Sequence, residues 1–310
     1  MRIFTIGETT YDILFRNGQP VSACSGGSAY NSAISLGRCG LPVRLISTFG
    51  NDTVGDLSHD FLTKNGVDCR FIKRFDGRSR VALAFFDQEN NADYSFYPAS
   101  MDVYPEYPIL KKGDILLVGS SFALRENGRE SLLSFLEQAR DLGCITIYDP
   151  NARQCMTEKP DLLQKIVQNM SLATIIKGSD QDFRNIFGTE TGKSAWSKIC
   201  ESGNKILVYT CGAKGAELFT PDHYLEVPAR KTDVISTIGA GDNFSAGIVF
   251  GLFNNLTDNQ TLTDLTAADW EEIMSFGTLF ASSVCASSQN YLPKEFGERL
   301  RLEVNDKRKE

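Results

Sequence analysis

The sequence predicts an α/β fold: a doubly wound, mainly parallel sheet with helices on both faces, plus a small β-sheet lid. Three observations carry that expectation. Six short runs are almost wholly apolar, helical spacings lie between them, and two β-like stretches are followed by no helix.

The runs are "RIFTIG" (2 to 7), "VRLIST" (43 to 48), "DILLVG" (114 to 119), "CITIYD" (144 to 149), "ATIIKG" (173 to 178) and "KILVYT" (205 to 210). Near-continuous apolarity marks strands covered on both faces. Between two of them, "SLLSFLEQARDLG" puts Leu132, Leu133, Phe135, Leu136 and Ala139 on one side and stops at Gly143. Residues 53 to 65 end likewise before Gly66. Strands alternating with helices wind a parallel sheet. The exceptions are "YDILFRNG" (11 to 18) and "SRVALAFFDQENNADYSFYP" (79 to 98), the second read as a hairpin turning at "QENNA". Together they are expected to form a lid within a single domain spanning residues 1 to 310.

Composition narrows the function. Hydrophobic residues are 42% of the 310-residue chain, enough for a sizeable core. Net charge is −7 and the one basic stretch is the terminal "NDKRKE", so a nucleic-acid partner is not expected. No apolar run approaches membrane-spanning length, and "MRIFTIG" is too short for a signal peptide. The eight cysteines form no CxxC pair, and His59 and His223 are the only imidazoles. That pattern argues against a zinc site or a disulfide framework and for reduced thiols in a cytoplasm.

Three glycine-containing stretches could bind phosphate. "GTETGKS" (188 to 194) ends as a P-loop does, but Phe187 stands where the first glycine belongs, and "SDQDFRNIF" before it looks helical. A helix-to-helix turn is expected instead. "GNDTVG" (50 to 55) is followed by Asp56 and Leu57 rather than Lys and Ser/Thr. "GAGDNF" (239 to 244) has Phe244 in place of the third dinucleotide glycine, and no apolar strand leads into it.

What remains is a helix start lined by Gly239, Ala240 and Gly241 and carrying Asp242. Free backbone N–H groups and the dipole make such a start an anion site. Asp242 could be an ordinary first-turn acid. It could equally accept a proton from a hydroxyl that attacks a phosphoryl group held by those amides.

"STIGAGDNFSAG" resembles the C-terminal signature of the ribokinase-like (PfkB) carbohydrate kinases, and other motifs follow in that family's order. "SGGSAYNSAISLGRCG" (25 to 40) resembles its N-terminal signature and "FGNDTVGD" (49 to 56) its Gly-x-Asp-x-x-Gly turn. "DPNAR" (149 to 153) is similar to a stretch of its fructokinase and ketodeoxygluconate-kinase branches, and "VYTCGAKGAELF" (208 to 219) to its nucleotide loop.

The resemblance implies transfer of the ATP γ-phosphoryl to a sugar hydroxyl, with Mg²⁺. It implies Asp242 as base and Gly239, Ala240 and Gly241 as anion hole. Asp12, Gly26, Gly27 and Asn31 match its sugar-binding positions, with Asn151 and Arg153 facing sugar or phosphoryl. Thr210, Gly212, Lys214 and Gly215 match positions beside the nucleotide. Read without the resemblance, these residues also suit a strand-to-helix turn, a strand edge and surface loops.

Departures occur at two motifs. Ser236 replaces an acid in a region that in many members binds a monovalent cation, which weakens the case for K⁺. The Asn-x-x-Glu motif appears as Ser179 to Asp182, leaving Asp182 to meet Mg²⁺ through water. Fructose is the expected acceptor. The alternatives are 2-keto-3-deoxygluconate, or a kinase homologue that binds sugar or nucleotide without turnover. Exposed lid edges invite pairing with a second copy as a homodimer.

Overall fold

Alternate residues of each central strand feed two different cores, which is why those runs are apolar throughout. Ile3, Ile115, Ile147, Ile175 and Val208 pack into one core; Phe4, Leu116, Tyr148, Ile176 and Leu207 pack into the other. The computed structural model describes residues 1–86, 92–201, 203, 205–257 and 260–307. Its strands are β1 (Ile3–Ile6), β2 (Thr10–Arg16), β3 (Gln19–Gly26), β4 (Val43–Gly50), β5 (Ile72–Phe75), β6 (Val81–Phe86), β7 (Ala92–Tyr97), β8 (Ile115–Gly119), β9 (Ile145–Asp149), β10 (Ile175–Ser179), β11 (Ile206–Thr210), β12 (Ala216–Phe219) and β13 (Tyr224–Val227).

The large sheet runs β13-β12-β11-β10-β9-β8-β1-β4-β5. It is parallel from β5 to β11, and β12 and β13 add an antiparallel edge. Helices α1 (Ser28–Arg38) and α2 (Thr53–Lys64) follow the first strands. Next come α3 (Arg129–Asp141), α4 (Gln154–Thr157), α5 (Pro160–Leu172), α6 (Asp180–Phe187) and α7 (Gly192–Cys200). The chain closes with α8 (Ala240–Asn255), α9 (Ala267–Cys285) and α10 (Lys294–Lys307). Buried side chains of α1, α2, α8, α9 and α10 belong to one core, those of α3, α5, α6 and α7 to the other. The doubly wound expectation is therefore met.

The second sheet has the order β3-β2-β6-β7, with β2 and β6 parallel and the outer pairs antiparallel. Both expected lid stretches are in it, and β3 joins them as an unexpected third piece. The turn expected at "QENNA" (88 to 92) falls outside the described residues except for Ala92, the first residue of β7, and β6 and β7 do pair antiparallel. Asp52 fastens the root of this sheet to the main one. It caps α2 by accepting from Gly55 N (2.8 Å), and accepts from Ser79 N (2.8 Å) and Ser79 Oγ (2.7 Å) just before β6. That gives the "GNDTVG" stretch a structural job.

"GTETGKS" is a helix-to-helix turn, as expected: Gly188 ends α6 in the left-handed region (φ 66°) and Thr191 caps α7. No strand precedes Gly239 between residues 228 and 238. Among the described residues, no helix is long and apolar enough to cross a membrane.

Candidate active site

The parallel strands all end on one side, and a cleft of about 920 Å³ opens there beneath the lid. Glu8 follows β1, Ser120 and Ser121 follow β8, and Asp149, Asn151 and Arg153 end or follow β9. Ser179 and Asp182 come from the end of β10, Thr210 and Gly212 from β11. Thr10, Asp12, Tyr94 and Phe96 reach in from the lid, and Gly239, Gly241 and Asp242 close the floor. Ser120 (φ 54°) and Asn151 (φ 45°) hold left-handed backbone without being glycine. Such strain gathers at functional sites.

Asp242 lies in the first turn of α8, whose cap Gly239 is left-handed (φ 77°). Its Oδ2 accepts from Asn31 Nδ2 (2.8 Å), and its carbonyl accepts from Ser32 Oγ (2.9 Å), both on α1. Burial pushes its carboxyl pKa up, as does the charge of Asp149; hydrogen bonds from Asn31 and Ser28 and the charge of Lys177 oppose the shift. Asn31 Oδ1 is buried with no hydrogen-bond partner. It is an acceptor waiting for a donor such as a hydroxyl.

Sequence reasoning missed Lys177. Its ammonium donates to Asp149 Oδ2 (2.8 Å), which also accepts from Ser245 Oγ (3.0 Å). A Cβ built on Gly241 would lie 3.3 Å from Lys177 Nζ, so the ammonium sits beside the helix start. Burial alone would lower the lysine pKa; the charge of Asp149 and its hydrogen bond outweigh that and raise it. A charge inside the apolar run "ATIIKG" was the available signal. Glu8 was missed too. It pairs with Arg80 (3.3 Å) and accepts from Ser121 Oγ.

At the lid end, burial pushes the Asp12 carboxyl up to about 7. Gly26 does not line the cleft; a Cβ there would come within 2.7 Å of Asp12 Oδ2, so glycine leaves that carboxylate room. Gly27 (φ 111°) caps α1, and a Cβ would meet Glu8 O at 2.4 Å. Arg153 and Asp12 both bear electrostatically on Tyr94, which places Arg153 under the lid.

Thr210 and Gly212 line the cleft, whereas Lys214 and Gly215 lie outside it. Gly215 has a packing reason instead, since a Cβ would meet Val227 O at 2.1 Å. Ala240 opens α8 without lining the cleft.

Asp182 closes a capping box on α6: Oδ2 accepts from Ser179 N (2.7 Å) and Ser179 Oγ (2.6 Å), and Oδ1 from Ala152 N (2.7 Å). Among the described residues no group of three His, Cys, Asp or Glu could hold a metal directly. The cleft is nonetheless acidic: Glu8, Asp12, Asp149, Asp180, Asp182 and Asp242 outnumber Arg80, Arg153 and Lys177. That surplus suits a hydrated cation held through water.

Residues 2–295 match the family described as pfkB family carbohydrate kinase. A fructokinase of Rhizobium leguminosarum bv. trifolii is 28% identical over 283 residues, covering 85% of this chain and 83% of its own. The fold superimposes on fructokinase from Vibrio cholerae O395, crystallised with fructose, ADP and calcium (TM-score 0.81, 24% identity, 93% and 94% of the two chains). It also superimposes on aminoimidazole riboside kinase from Salmonella enterica, crystallised with aminoimidazole riboside and an ATP analogue (TM-score 0.83, 24% identity, 98% and 100%).

Proposed function

The chain belongs to the pfkB family of carbohydrate kinases, and from that premise we propose that it transfers the γ-phosphoryl of ATP to fructose, giving fructose 6-phosphate. The observation that carries this reading is the floor of the cleft. Asp242 and Asn31 share a hydrogen bond there, at the glycine-lined start of α8. Asp242 takes the proton of the attacking hydroxyl as the new phosphorus–oxygen bond forms and ADP leaves. The open N–H groups of α8 receive the phosphoryl oxygens. Asp149, Asp180 and Asp182 would hold Mg²⁺ through water, and that ion neutralises phosphoryl charge when bound.

Charge favours a neutral acceptor. Arg80 is paired with Glu8 and Lys177 with Asp149, while the cleft carries surplus carboxylates. Arg80 and Lys177 being so paired, an acidic or phosphorylated sugar would meet Arg153 as the one other lining cation among the described residues. A second reading has its own observation. Tyr94 and Phe96 stack (5.6 Å, 9°) where they line the cleft, offering a flat surface to the base of a riboside. ADP production over fructose, other ketoses, aldoses, aminoimidazole riboside, nucleosides and ketodeoxygluconate tests these readings together. A highest kcat/KM on anything but fructose overturns the assignment.

Arg153 sharpens the choice. Lysine keeps its charge but loses the planar fork. Arg153→Lys is expected to lower fructose turnover about tenfold or more, and to raise KM only if the true acceptor bears a carboxylate. Wild-type kinetics in this variant would put Arg153 outside the reaction.

Asp12 makes sugar binding pH-sensitive. With its carboxyl pushed up to about 7, it gains a proton as pH falls through that value and loses acceptors for sugar hydroxyls. Cys24 across the sheet and Tyr94 are its titratable neighbours, and Arg153 bears on Tyr94 as well. Between about pH 8 and about pH 6 the sugar KM should rise roughly tenfold. Asp12→Asn should flatten that profile, and an unchanged slope would show that another group titrates.

A further inference from the structure

Asn243 follows the base on α8 and has no exposed surface, yet it is polar. Its Nδ2 donates to Gly239 O (2.7 Å) and Asn290 O (2.8 Å). Its Oδ1 accepts from Ser35 Oγ of α1, and Ser35 Oγ in turn accepts from Leu292 N (2.9 Å). One amide thus joins the start of α8, the helix that carries Asn31, and the segment after α9. The contact between the first and last of these is close, since a Cβ on Gly239 would meet Asn290 O at 2.4 Å. Asn290 also lines the cleft, and its side-chain nitrogen lies 3.6 Å from the Cβ position of Gly26, beside Asp12. Asn243 itself does not line the cleft.

Helix packing alone has no need of this amide. A buried polar group with every bond made specifies a single arrangement of its partners. We propose that Asn243 is a positioning residue that sets the register of the Gly239–Gly241 turn against α1 and residue 290, so that phosphoryl group and acceptor hydroxyl meet in line. This rests on the kinase reading above. Displacing such a turn by an ångström costs on the order of 10²-fold in rate, while a sugar held mainly by Asp12 and Asn31 keeps its affinity.

The test uses Asn243→Ala and Asn243→Asp. Aspartate retains the shape and the bond from Ser35 but loses both donations to backbone carbonyls. Turnover, sugar KM, and calorimetric affinities for ATP and ADP are measured well below each variant's unfolding midpoint. Both variants should lose about 10²-fold in kcat with sugar KM within about threefold, and should bind ATP more weakly while ADP binding holds. A kcat within about threefold of wild type, or an unaltered preference for ATP over ADP, overturns the inference whatever happens to stability. If neither variant folds, Ser35→Ala removes one bond to Asn243 and should cost about tenfold in kcat, with no loss overturning the claim. A wild-type protein that neither turns over nor binds ATP fails at a different point: it sinks the kinase reading, and this inference with it.

Discussion

Asp242→Asn is expected to lose roughly 10²–10⁴-fold in turnover, the scale of removing a general base, with sugar affinity little changed. The variant keeps an oxygen to accept from Asn31, so the floor of the cleft should stay in place. What disappears is proton acceptance. Burial holds the wild-type carboxyl above its usual range, which brings it nearer to the pH at which it works as a base. Steady-state kinetics with saturating ATP checks this. Turnover close to wild type would return Asp242 to the role of a first-turn helix acid.

Lys177→Met should be the most damaging single change to stability. Lys177 and Asp149 are both buried, their side chains 6% and 8% exposed. Removing one partner strands the other charge, at a cost of roughly 3–5 kcal/mol. Lys177→Met combined with Asp149→Asn should recover most of that, because neither member of the pair is left charged without the other and Ser245 still has an oxygen to donate to. Urea unfolding of the two variants gives the comparison. A single variant within about 1 kcal/mol of wild type would show that water reaches the pair. Turnover of the double variant should still fall about 10²-fold, since the cleft-lining lysine beside the start of α8 is gone.

The central strands were legible because β1, β4 and β8 to β11 are apolar on both faces, a pattern that survives without any partner in view. The strand β3, "QPVSACSG", was not. It is a lid edge, exposed over its first five residues, so burial wrote no period into it. The antiparallel edge β12 and β13 is four residues per strand, too short for periodicity to show. At the site, Asp242 and its glycines were legible as a local motif. Lys177 was hidden by its strand, because one charge in an apolar run reads as an edge residue until Asp149 is seen beside it. Asn243 was hidden for the opposite reason. Its partners Ser35, Asn290 and Leu292 lie 208, 47 and 49 positions away or are reached through Ser35, and no spacing rule spans such distances.

The bond between Asn31 and Asp242 spans 211 positions, so the two halves of the cleft floor leave the ribosome far apart in time. At usual elongation rates that gap is about 10 to 40 s. By the end of it the nascent chain carries Asp12, Asn31 and Arg153 but neither Asp242 nor α8. Asn290, whose carbonyl accepts from Asn243 of α8, and Leu292, which donates to Ser35 of α1, emerge later still. A chain stalled in that gap therefore presents Asp12 and Asn31 without Asp242 or the start of α8, and the cleft floor is complete only once residues 290 to 292 have been made.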